Sequence, residues 1–275
     1  MSFALRPLAE AHRVSNWLDE QCGQERFPVD VQQVALDYSR RYCPGSPIDR
    51  VYGDSLEGLE GLLTSNGART KWLIAYNTDV PWPGRIRFTI AHEFGHYLLH
   101  RQWQTKFMCS EADTKSAVDA LQQMEQEADQ FASALLMPMG DLKQQVAGQP
   151  ISFELLETLQ DRYGVSLTAM ASKWIDIARQ RAVLVTIKNN QLQWARSSTA
   201  AYRSGAVFAT RRQKYSVPLA SSAHSVHLKG SMTRHQLPAS TWFPNEPEDM
   251  PLTELIYRES TKDFTLAILL LPDRP

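Results

Sequence analysis

His92-Glu93-Phe94-Gly95-His96 sets two imidazoles and a carboxylate at a spacing that suits metal-assisted hydrolysis. On an α-helix, residues i and i+4 share a face about one turn apart, so His92 and His96 can turn ring nitrogens to one ion. With His92 as the origin of the helical wheel, His96 falls at about 40° and Glu93 at about 100°. Glu93 therefore stands beside such an ion, where a general base takes a proton from activated water. Zinc hydrolases need this pattern of neutral imidazoles on one side and an open position for water on the other. The spacing predicts His92 and His96 as zinc ligands and Glu93 as the catalytic base.

A third ligand must come from outside this helix. His100 lies eight residues after His92, about 12 Å along the axis, and zinc–nitrogen bonds of about 2.1 Å cannot span that gap. A helix C-terminal cap is its expected role. The run Glu125-Gln126-Glu127-Ala128-Asp129 offers better donors. Measured from the apolar stripe of Ala117, Leu121, Met124, Ala128, Phe131 and Leu135, Glu125 lies at about +80° and Asp129 at about +120°, with Glu127 at about −80°. A ligand carboxylate with a second carboxylate one turn later is the arrangement that orients a metal-bound histidine. Glu125 is the expected ligand, Asp129 the partner of His92 or His96, and Glu127 the reserve ligand.

The elements that must position these groups can be read from the pattern around them. Residues 86–100 read as a helix, with Phe88-Thr89-Ile90-Ala91 and Tyr97-Leu98-Leu99 supplying an apolar wall. Gly95 costs about 1 kcal/mol in a helix interior relative to Ala, and a close approach by backbone or substrate would explain it. Lys71 to Asn77 reads as a strand closed by Pro81-Trp82-Pro83-Gly84, whose edge could hold an extended substrate. Pro28-Val29-Asp30 looks like a helix start, and Pro138 ends the helix that carries Glu125. Helices follow near 152–162 and 166–180, with Ser152 and Ser166 as N-caps. This pair has a helix-turn-helix look, but Leu167-Thr168-Ala169-Met170 stands where a DNA-reading helix carries Arg, Lys, Asn or Gln. Packing against the rest of the metal-binding domain is the expected role. After Ala182 the texture turns to short β-rich runs.

Bulk properties narrow the class. The chain has 275 residues, 43% of them hydrophobic and 21% charged, as in a folded globular protein. Three cysteines, Cys22, Cys43 and Cys109, without a CxxC spacing exclude a disulfide framework and suit a reducing compartment. Arg6 and Glu10 precede any apolar run that could form a signal-peptide core, and no run reaches membrane-span length. A cytoplasmic location is expected. Ile177 to Asn245 contains ten Lys and Arg and no Asp or Glu, although the whole chain has a net charge of −1. That shift marks a boundary: residues 1–180 as the metal-binding domain and 181–275 as a basic, β-rich accessory domain for sensing or partner binding, where nucleic acid or an acidic partner could dock. Tyr76 and Tyr163 are candidate oxyanion donors.

The run from Arg87 to His100 resembles the ImmA/IrrE metallopeptidases, as does Glu125-Gln126-Glu127-Ala128-Asp129-Gln130-Phe131-Ala132-Ser133-Ala134-Leu135-Leu136-Met137-Pro138. The resemblance spans about residues 25–180. It implies an α+β fold with a zincin-like protease domain, mainly helical with a small sheet. It also implies zinc held by His92, His96 and Glu125, with Glu93 as catalytic base. Family members typically cut, or otherwise relieve, helix-turn-helix (Xre-type) repressors of phage, mobile-element or stress genes. Others pair with such regulators in toxin–antitoxin modules, so an anti-repressor that binds without proteolysis is the alternative. No Xre-like segment precedes the protease motif, and the basic region after 180 matches no known module.

Overall fold

The computed structural model describes residues 6–109, 119–224, 232–258 and 264–273. The chain divides into two compact units, Met1–Ala147 with Leu159–Ser166, and Gly148–Thr158 with Leu167–Pro275.

The first unit opens with α1 (Arg6–Cys22) and α2 (Val31–Tyr42). Asp30 caps α2 by accepting a hydrogen bond from the Gln33 amide at 3.1 Å, which satisfies one of the unpaired donors of the first turn. Four strands follow as a mixed sheet in the order β1-β3-β2-β4: β1 (Ile48–Asp54), β2 (Gly61–Ser65), β3 (Trp72–Asn77) and β4 (Lys106–Cys109). β1 runs parallel to β3, and the other pairings are antiparallel. β3 is thus paired on both sides. The free edge expected of residues 71–77 does not exist there, because its backbone donors and acceptors are taken by β1 and β2. Among the described residues, β1 and β4 are the strands with a neighbour on one side only.

Strand alternation lays one face of this sheet on α3 (Pro83–His100). Leu63, Trp72 and Ile74 are buried on it, and the Trp72 ring meets Tyr97 edge-on at 5.9 Å. α4 (Asp119–Leu136) packs along the other side of α3 and is followed by α5 (Met139–Gln145). Phe94 and Phe131, both fully buried, meet edge-to-face at 5.6 Å between the two helices. Gly95 makes that approach close: a β-carbon there would lie 3.0 Å from the Phe131 ring and 3.3 Å from the Ala128 backbone. The unit is tied together where Asp141 accepts hydrogen bonds from Arg162 (2.9 and 3.0 Å) and from the Tyr163 hydroxyl (2.6 Å).

The division between units runs through α6 (Phe153–Tyr163), whose start is capped by the Ser152 hydroxyl. The second unit then contains α7 (Leu167–Ile177), β5 (Arg181–Lys188), β6 (Gln191–Ser197), α8 (Thr199–Arg203), β7 (Met232–Pro238), β8 (Pro251–Arg258) and β9 (Thr265–Leu271). Its sheet is antiparallel throughout, in the order β6-β5-β9-β8-β7. β5 is buried along nearly its whole length, as an apolar run covered on both faces must be. α7 packs on β5 and β6. Leu167 and Met170 are buried, so the start of α7 is not offered to a groove. Two charges of the acid-free window are also internal or paired: Arg181 is buried against Glu246, and Arg196 meets Asp176 at 2.6 Å. Arg203, Arg211, Arg212 and Lys214 remain exposed.

Candidate metal centre

α3 and α4 carry the site between them. His92 and His96 stand one turn apart on α3, their Nε2 atoms 3.0 Å from each other. Glu125 on α4 reaches both, with Oε2 at 3.1 Å from His92 Nε2 and Oε1 at 3.3 Å from His96 Nε2. A cation with bonds of about 2.1 Å to three tetrahedrally placed atoms sets those atoms about 3.4 Å apart. The observed triangle has nearly that size. Two imidazole nitrogens turned to face one another, with a carboxylate closing the triangle, ask for a positive charge at its centre. The donor set, two imidazoles and one carboxylate, is one that zinc takes in catalytic sites. The residues therefore fit a bound zinc ion.

Charge at the centre follows from burial and proximity. Burial pushes the His96 imidazole down to about 4, with the neighbouring His92 adding to the effect and Glu125 opposing it. Burial acts on His92 in the same direction, but hydrogen bonds to Asp129 and Glu125 outweigh it and raise His92 to about 10. Two imidazolium ions 3.0 Å apart cannot coexist, so one ring keeps the positive charge and the other gives it up. Glu125 is half-buried. Burial pushes its carboxyl up, yet the two imidazoles hold it well below the usual carboxylate range.

Each imidazole is held from behind through Nδ1. Asp129 Oδ1 lies 2.9 Å from His92 Nδ1, one helical turn beyond Glu125. His96 Nδ1 lies 3.0 Å from His100 Nδ1, and His100 Nε2 lies 3.1 Å from Glu127 Oε2. His100 is fully buried and is not the cap of α3. That role falls to Arg101, whose guanidinium donates to the carbonyls of Tyr97 and Leu98 at 3.0 and 3.3 Å. Glu127 stands outside the ligand triangle and faces His100 instead. Phe107 of β4 stacks on the His96 ring at 4.7 Å, which fixes the ring plane.

Glu93 is fully buried beside the triangle, and neither carboxylate oxygen has a hydrogen-bond donor among the described residues. Burial raises its carboxyl to about 8, with Glu125 adding and His92 opposing. Gly61 at the start of β2 makes room for it: a β-carbon there would sit 2.8 Å from Glu93 Oε1 and 2.5 Å from Thr89 Cγ2. The sequence signal for this was a glycine opening an apolar strand, which pattern reading passed over. Tyr76 is the register partner of Gly61. Tyr163 is committed to Asp141 by its hydroxyl. Cys109 ends β4; its side chain and residues 110–118 lie outside the described set.

Residues 54–174 match the model of the peptidase M78 family, described as the IrrE N-terminal-like domain. Over this segment the chain is similar to the ImmA/IrrE family. The M78 match takes in β2, β3, β4, α3 and α4, and with them every residue of the triangle and its supports. It covers less than half of the chain and ends at Trp174, before the second unit's sheet begins. Among curated proteins no sequence matches the chain. No helix among the described residues is long and apolar enough to cross a membrane.

Proposed function

We propose that the M78 domain is a zinc-dependent endopeptidase that cuts a helix-turn-helix transcriptional repressor, and so releases the genes the repressor silences. The observation that carries the reading is the convergence of His92 Nε2, His96 Nε2 and a Glu125 oxygen, all within 4.8 Å of one another, beside the buried and unpartnered Glu93. A buried carboxylate without donors is expensive to maintain, and chemistry is the usual reason to keep one. The substrate class is inferred from the family resemblance. The exposed Arg203, Arg211, Arg212 and Lys214 make the second unit the candidate contact for nucleic acid or an acidic partner.

His92, His96 and Glu125 would hold the zinc ion. When bound, zinc supplies Lewis acidity, which acidifies water and polarises a scissile carbonyl. Glu93 takes the proton of the attacking water and delivers it to the leaving amine. Glu93 is itself fully buried, so bulk water is shut away from its carboxylate. Asp129, behind His92, keeps that ring turned so that Nε2 faces the ion.

The test is zinc content together with cleavage of a helix-turn-helix regulator offered as substrate. Wild type is expected to hold one zinc and cut the regulator, and Glu93→Gln to keep the zinc and lose the cut. Unchanged cleavage by Glu93→Gln removes Glu93 from the mechanism. A regulator that is bound and inactivated yet stays whole with wild type makes the protein an anti-repressor instead.

A further inference from the structure

His92 and His96 are backed in different ways. His92 leans directly on a carboxylate, Asp129, whose side chain is 59% exposed. His96 leans on a second imidazole, His100, which in turn leans on Glu127, and these two side chains are 0% and 10% exposed. We propose that Glu127 and His100 act as a pair of positioning residues that fix the proton on His96 Nδ1 and so keep its Nε2 lone pair aimed at the metal. The inference rests on the reading of His92, His96 and Glu125 as zinc ligands.

The direction of the relay follows from which atoms can donate. Glu127 Oε1 accepts from the Gln123 amide at 2.8 Å, which anchors the carboxylate. Glu127 Oε2 is an acceptor, so the proton between it and His100 sits on His100 Nε2. A neutral His100 then has a bare Nδ1, which accepts across 3.0 Å from His96 Nδ1–H. A neutral His96 with its proton on Nδ1 has its lone pair on Nε2, the atom that faces His92 Nε2 and Glu125. Reversing any link would leave Glu127 facing a bare nitrogen. One carboxylate at the far end therefore dictates the tautomer of two rings. Because His100 is wholly buried, water cannot compete for either nitrogen. Partners behind metal-bound histidines typically contribute 10–100-fold in metal affinity.

The decisive readings are a tautomer and an affinity, both on the full chain loaded with Zn2+. Long-range 1H–15N spectra of wild type are expected to show His100 protonated at Nε2 and bare at Nδ1. The opposite tautomer overturns the proposal. In chelator competition, His100→Phe keeps a ring in the cavity but offers no acceptor, and about 10–100-fold weaker zinc binding is expected. His100→Asn restores an acceptor oxygen near His96 Nδ1 and should recover part of that loss. Wild-type affinity in His100→Phe, or no recovery in His100→Asn, shows that the pair only packs. If His100→Phe does not fold, the wild-type spectrum decides. Absence of zinc from wild type would bring down the metallopeptidase reading itself, whereas equal zinc affinity in wild type and His100→Phe brings down the relay alone.

Discussion

Gly61 lies directly against Glu93: any side chain on Gly61 would begin 2.8 Å from the Glu93 carboxylate. Strand β2 and helix α3 thus share a space that only a glycine leaves open. Gly61→Ala is expected to displace Glu93 while leaving His92, His96 and Glu125 in place. Turnover should fall by about 10²-fold, the scale on which a misplaced catalytic group is felt, with zinc content unchanged. Loss of zinc in parallel with turnover would show that the strand supports the ligands rather than the base.

Asp129 touches His92 and not the triangle's centre. Asp129→Ala should weaken zinc binding by about 10–100-fold in chelator competition. The Asp129 side chain is more than half exposed, so the melting temperature of the metal-free protein should hardly move.

Gly95 sets the separation of α3 and α4. Alanine would gain about 1 kcal/mol of helix propensity but must push on Ala128 backbone, and overpacking of that kind costs about 1–3 kcal/mol. The backbone cannot yield without carrying Glu125 and Asp129 with it. Gly95→Ala is expected to lower stability by about 1 kcal/mol and to weaken zinc binding as well. Denaturant unfolding with and without zinc separates the two effects.

Asp141 gathers Arg162 and Tyr163. Burial pushes its carboxyl up, but these two donors prevail and hold it below the ordinary range. A group depressed in the folded state stabilises above its unfolded pKa, about 3.9 for Asp, and loses that contribution as pH falls through the folded value. Asp141→Asn should therefore cost about 1.5–3 kcal/mol at pH 7, the range for hydrogen bonds to a charged group. The gap to wild type should close below about pH 4. A gap independent of pH would mean the loss is one of shape, not charge.

The sequence alone was enough for whatever a single helix dictates. His92, Glu93 and His96 follow from a repeat of 3.6 residues, and that geometry is the same in every fold. The helix start at Pro28-Val29-Asp30, Ser152 as a cap, and Pro138 as the end of the helix carrying Glu125 are local in the same way. The rest depended on which faces meet. Glu127 sits on the other side of the apolar stripe from Glu125 by wheel angle, yet both meet α3, because a close helix pair straddles the stripe and takes contacts from its two edges. His100 looked like a cap because its distance from His92 rules out a shared ion; only the packing of α4 shows that it bonds to His96 and Glu127 instead. The place of Gly61 over Glu93, and of β3 inside the sheet rather than at its edge, came from strand order, a pairing of distant segments that no local period encodes.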